Sequence, residues 1–188
     1  PSIGGVGLIK DYKTMVTMDF KEKDNLVLVI GKTDGHLDQS LLNRTILDEK
    51  NGPPPEVNLF NEKNNGVSLL SLIEKGYIKS AHDVSLGGLL IAVSKMCIKG
   101  NKGIKFEKSK NFMSDIEYYF SEDQGRYVVE INQKDLKEVS KILEKNSVHH
   151  EKLGVIVDKS MIINEKTKVT IDELKSYNTN WLNNYMSS

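Results

Sequence analysis

Apolar and polar positions alternate along this chain in blocks that predict a sequence of strands and helices. Residues 26–30 form an unbroken apolar run that ends at Gly31, the pattern of a strand covered on both faces. Thr33-Asp34-Gly35 supplies turn chemistry, and residues 37–47 predict a helix with Leu41, Leu42 and Ile46 on one face. Gly52-Pro53-Pro54-Pro55 stops that helix and makes a stiff extended connector. Asn65 is expected to cap the next helix, whose apolar face is Leu69, Leu70, Ile73 and Tyr77. A short strand follows over 78–83. The helix after Gly88 carries Leu89, Leu90, Val93, Met96 and Cys97, and Gly100 is expected to end it. Residues 127–131 read as a strand, and 133–145 as a helix with Leu136, Val139, Ile142 and Leu143 inward. Late strands are expected over 153–157, 161–164 and 168–171. The stretch 176–188, with Trp181 and Tyr185, either packs back on the domain or frays. The opening, with glycines at 4, 5 and 7, reads as an extended segment with a tight bend.

This order predicts a layered α/β (α+β) sheet with helices packed on it. At 188 residues the chain is expected to be a single domain with one sizeable core. Its start at Pro1 is expected to reflect a piece cut from a longer protein. Lys plus Arg and Asp plus Glu both number 26, so net charge argues for neither nucleic acid nor a membrane surface. No apolar run approaches the roughly 20 residues of a membrane span, and nothing reads as a signal peptide. The single cysteine, Cys97, excludes an internal disulfide and fits a reducing compartment.

The segment from Ala81 to Leu89 carries the sharpest chemical signal. A strand ends in His82-Asp83, a glycine pair follows at 87 and 88, and a helix begins. Glycines let the backbone approach a ligand closely, and the first N–H groups of a helix have no partner within it, which suits a phosphate. Asp83 is a candidate for a magnesium ion or a ribose hydroxyl, and His82 for a phosphate; the alternative is a capping aspartate beside a satisfied histidine. In Ser121-Glu122-Asp123-Gln124-Gly125-Arg126, Arg126 is a candidate to grip a phosphate or carboxylate, against the reading of a solvated turn. His36, near Ser40, reads more simply as a surface histidine. His149-His150 has too few converging ligands for a metal, and Cys97 lies on an apolar helix face as a packing residue. Neither a Walker A pattern nor a G-x-G-x-x-G is present.

Three segments together carry a family resemblance. Ile3 to Leu8, Ser80 to Leu89 and Phe120 to Arg126 resemble, in order and approximate spacing, segments of the large subunits of phosphoribosylformylglycinamidine synthase. The stretches 36–47, 52–57 and 62–66 are similar as well, so the resemblance covers nearly the whole chain. It implies the C-terminal domain of an aminoimidazole-ribonucleotide-synthetase-like pair, at the C-terminal end of a longer chain. It further implies a cytoplasmic, ATP- and magnesium-dependent ligase of purine biosynthesis, which converts formylglycinamide ribonucleotide and ammonia to formylglycinamidine ribonucleotide. The implied partners are the missing N-terminal domains, a glutaminase subunit and a small accessory subunit, with no nucleic acid or membrane. A fragment of this kind is expected to be inactive alone, with no catalytic residue of its own. The positions implied for substrate or phosphate are Ser40, His82, Asp83, Ser85, Gly87, Gly88 and Arg126, with Asp83 also implied for metal. Three departures weaken such a site: Leu86 and Lys95 stand where the family usually has acids, and Asp38 where it usually has glycine. A relative such as aminoimidazole ribonucleotide synthetase, thiamine-monophosphate kinase or a hydrogenase-maturation protein, and a non-catalytic docking module, are the competing readings.

Overall fold

The computed structural model describes residues 4–9, 11–107, 113–165 and 167–187. Ile3 of the first resemblance segment and the final Ser188 lie outside the described residues. Seven strands form one mixed sheet: β1 (Leu26–Ile30), β2 (Ile78–Asp83), β3 (Gly103–Phe106), β4 (Tyr127–Ile131), β5 (His150–Val157), β6 (Ser160–Ile163) and β7 (Thr167–Thr170). Their order is β2-β4-β1-β5-β3-β6-β7, and every pairing is antiparallel except β3 with β6. The helices are α1 (Leu41–Thr45), α2 (Leu59–Glu74), α3 (Gly88–Gly100), α4 (Asp115–Phe120), α5 (Leu136–Lys145) and α6 (Ile171–Met186).

Helices cover both faces of the sheet, which explains why β1 is apolar at every position. Val27 and Val29 point to a core shared with Leu89, Val93, Met96 and Cys97 of α3, Tyr118 and Tyr119 of α4, and Ile171 of α6. Leu26, Leu28 and Ile30 point the other way, onto Leu69 and Leu72 of α2 and Val139 and Leu143 of α5. The period-2 geometry of a strand divides one continuous apolar run between two cores. Each fully buried Leu or Ile contributes about 1.5–3 kcal/mol through removal from water.

Several elements differ from the expectation. The helix over 37–47 shrinks to the five residues of α1, capped by Ser40, whose hydroxyl accepts from Asn43 N. Ile46 and Leu47 are exposed, so the apolar stripe read there has no core to meet. The cap of α2 is Asn58, one turn and more before Asn65. Asn65 lies inside the helix, buried, and donates to Gly125 O at 2.8 Å. α3 does end at Gly100, but the left-handed cap expected of that glycine is taken by Asn101 at φ 52°. A Cβ on Gly100 would lie 2.4 Å from Phe20 O, so close backbone packing demands the glycine. β3 and α4 carry no strong local pattern in the sequence. Residues 176–186 continue α6 rather than fraying, on a helix opened by a capping box of Thr170 and Glu173. Residues 4–9 form neither helix nor strand and are exposed, with Gly4, Gly5 and Gly7 facing open space.

Candidate functional site

Three loops meet at the ends of β1, β2 and β4: residues 31–41, 83–88 and 121–126. Sequence reasoning had singled out parts of all three, and the fold brings them together. Between the second and third of these loops lies a cavity of about 360 Å³, lined by Glu62, Asp83, Ser85, Leu86, Glu122 and Tyr127 among others. A second cavity of about 470 Å³ lies on the other side of Glu62, with Lys32, His36, Asn58, Asn61 and His149 in its wall.

The segment 121–126 is a packed keystone, neither a solvated turn nor an open phosphate grip. Glu122 Oε1 accepts from Leu41 N at 2.7 Å and from Gly87 N at 2.8 Å. Asp123 turns the opposite way. Its carboxylate accepts from Asp34 N at 3.0 Å, Gly35 N at 3.2 Å and His36 N at 3.1 Å. Successive backbone N–H groups form a concave donor nest that attracts an anion; here the anion is a side chain of the protein. Arg126 is 1% exposed, and its guanidinium donates to Thr33 Oγ1 at 3.0 Å, Ser121 O at 2.7 Å and Asp123 O at 3.2 Å. Its fork is directed into the protein rather than toward solvent, onto two carbonyls of its own loop and the Thr33 hydroxyl.

The glycine pair serves the same contact. Gly87 and Gly88 have φ of 85° and 70°, and a Cβ on Gly88 would lie 2.5 Å from Ser121 O. The close approach that Gly88 permits is to the chain's own backbone, while a Cβ on Gly87 would meet the Ile91 side chain. Gly31, at φ 98°, is similar: its Cβ would lie 2.7 Å from Gly125 O. Ser40 is fully buried as the cap of α1.

Asp83 and Ser85 remain exposed at the cavity rim. His82 is mostly buried, and its Nδ1 lies 2.9 Å from Asp83 Oδ1. Its Nε2 is buried without a partner among the described residues. Burial, then the charges of Glu62 and Asp83, push the Tyr127 phenol above its ordinary range. Among the described residues no three His, Cys, Asp or Glu side chains converge, so a magnesium ion at Asp83 would take its other ligands from phosphate, water or residues outside this chain. The lysine and arginine of the two cavities are Arg126, which is buried, and Lys32, which pairs with Asp34.

The remaining candidates fall elsewhere. His36 Nε2 lies 3.0 Å from Pro53 O, and Gln39 Nε2 donates to Lys50 O and Gly52 O, so this turn holds the proline connector. Asp38 packs against Gly52, where a Cβ would collide with its carboxylate. Leu86 is exposed beside the cavity, and Lys95 is exposed on α3. His150 bonds to Ser140 and Val148 while His149 lines the second cavity. Cys97 is fully buried. Sequence reasoning missed Glu62 and Tyr127, which sit on neighbouring elements with no motif to mark them.

Comparison with known proteins places this arrangement. Over its full 188 residues the chain is 63% identical to "Phosphoribosylformylglycinamidine synthase subunit PurL" of Pelagibacter ubique and 38% identical to the protein of that name from Azorhizobium caulinodans. It spans 26% of the length of each. The fold is similar to that of Thermotoga maritima PurL complexed with FGAR, with a TM-score of 0.73 at 19% identity, over 87% of this chain and 30% of that one. Escherichia coli HypE, a hydrogenase maturation protein, is similar at a TM-score of 0.59 and 16% identity, over 83% of this chain and 52% of that one. Residues 22–164 match the family described as AIR synthase related protein, C-terminal domain, and the chain belongs to that family.

Proposed function

We propose that this chain is the C-terminal domain of a longer ATP-dependent ligase that converts formylglycinamide ribonucleotide and glutamine-derived ammonia to formylglycinamidine ribonucleotide. The observation that carries this reading is the 63% identity, over every residue of the chain, to a phosphoribosylformylglycinamidine synthase subunit about four times as long. In such a protein this domain is a wall of the site rather than its chemical centre. Asp83 and Ser85 are the open rim positions toward substrate. His82 orients the Asp83 carboxylate through its 2.9 Å contact. Ser40, Gly87, Gly88 and Arg126 act one step back, by fixing the loops that carry the rim.

We infer that ATP and its magnesium are held by the preceding domains of the same polypeptide, since the Gly87 N–H and the Arg126 guanidinium are already engaged within the fold. Ammonia comes from a glutaminase subunit, with a small accessory subunit completing the assembly. The setting is the cytoplasm, which suits the lone buried thiol of Cys97. No helix among the described residues is long and apolar enough to cross a membrane.

Turnover of formylglycinamide ribonucleotide by the full-length polypeptide, with magnesium-ATP and ammonia, tests the reading. Activity in the full-length protein and none in the 188-residue chain is the expected result; an inactive full-length protein overturns it. Calorimetric titration of the 188-residue chain with the ribonucleotide tests the wall role, which saturable binding would sink.

A further inference from the structure

We propose that Glu122 is the built-in ligand of the glycine turn: its carboxylate fills the oxyanion seat at Gly87, where an external phosphate would otherwise bind. The turn has the features that suit an anion, a left-handed glycine pair opening a 13-residue helix with no side-chain cap at Gly87. Glu122 Oε1 holds the Gly87 N–H at 2.8 Å and the Leu41 N–H at 2.7 Å, lengths of charge-assisted bonds. One oxygen therefore ties the loop before α3 to the segment that starts α1.

Two independent observations support closure. The backbone of Phe120 and Ser121 lies across the turn so tightly that a single added carbon at Gly88 would come within 2.5 Å of Ser121 O. The neighbouring residue also repeats the device, since Asp123 fills the nest of Asp34, Gly35 and His36. The adjacent pair Glu122-Asp123 thus satisfies five backbone N–H groups, two on one carboxylate and three on the other. Glu62 and Asp83 line the same cavity as Glu122, so an incoming anion also meets like charge. The domain presents a self-occupied version of the phosphate turn, and a substrate phosphate is held by other parts of the longer protein. This goes beyond the proposed function and is read without turnover, so the two fail separately.

Hydrogen exchange of the full-length polypeptide tests it, followed in peptides covering 38–44 and 84–91. In the wild type, exchange at Leu41 and Gly87 is slow and indifferent to added inorganic phosphate or formate. Glu122→Ala speeds it about tenfold or more, the loss of a charged acceptor, and formate or phosphate restores the slow rate. Slowing of wild-type exchange by phosphate would show an open seat and overturn the proposal. So would an alanine variant with wild-type rates, or one that no anion rescues. Should the alanine variant unfold, Glu122→Gln decides: faster exchange at Gly87 with intact protection of β1 and β4 supports the proposal, and unchanged exchange overturns it.

Discussion

Ser80 and Glu130 face each other across the pairing of β2 with β4, and the Ser80 hydroxyl donates to Glu130 Oε2 at 2.9 Å. The carboxylate is fully buried and also accepts from Lys21 N, Glu22 N and Asn25 Nδ2 at 2.7–3.0 Å. Four donors compensate its removal from water. Glu130→Ala is expected to cost about 3 kcal/mol or more, because buried donors lose their acceptor. Glu130→Gln, which sets an NH2 group against some of these donors, is expected to cost about 1–3 kcal/mol. Urea unfolding of both variants checks the order. Equal stability to wild type would mean that water reaches these donors freely.

Arg126 anchors the keystone through acceptors on Thr33, Ser121 and Asp123, with the Asp123 carboxylate 3.7 Å from its Nη1. Arg126→Ala leaves those groups buried and uncompensated, at an expected cost of about 3–5 kcal/mol. Arg126→Lys recovers only part, since one ammonium cannot span acceptors placed for a planar fork. Thermal melts of the two variants measure the difference. If lysine proves equivalent to arginine, charge rather than fork geometry carries the contact.

Gly88 and Gly76 both have positive φ, 70° and 75°, but only Gly88 is crowded. Gly76 has nothing within 4 Å of the position a Cβ would take. Gly76→Ala therefore carries the left-handed backbone cost alone, about 1–2 kcal/mol. Gly88→Ala adds collision with the Phe120–Ser121 backbone and is expected to cost about 2–4 kcal/mol. Chemical denaturation compares the pair; a smaller loss at Gly88 would contradict the tight approach of the two loops.

Burial pushes the Cys97 thiol up from 9.0 to about 12, and burial followed by the charge of Asp115 pushes the Tyr119 phenol from 10.0 to about 12. The sign follows from proton counts. Above pH 9 the unfolded chain loses the thiol proton while the folded chain keeps it, so the unfolded state binds fewer protons and stability falls as pH rises. The decline is expected between pH 9 and about 12, steepening above 10 as the phenol joins. Urea midpoints across this range measure it, and Cys97→Ala should flatten the segment between pH 9 and 10. At pH 8 the folded protein is expected to resist thiol reagents that label the unfolded chain readily.

Local pattern determined much of this protein. The apolar run of β1, the stripes of α3 and α5 and the strands β2 and β4 follow from periods of 2 and 3.6 that any window of sequence displays. The turn at Gly87-Gly88 and the importance of residues 121–126 were legible for the same reason: special backbone and clustered charge are local features. Their partners were not. Glu122 meets Leu41 and Gly87, Asp123 meets residues 34–36, and Glu130 meets Ser80 and Asn25, all across separations of 35 residues or more. Which donor a carboxylate accepts from depends on how the chain closes in space, and no periodicity encodes it. Sequence alone therefore placed glycines and acids near a candidate phosphate site. Tertiary structure decided that Glu122 occupies the Gly87 donor and Asp123 the donors of residues 34–36, because once the loops are packed a tethered carboxylate reaches those N–H groups without the translational entropy cost that a free anion must meet.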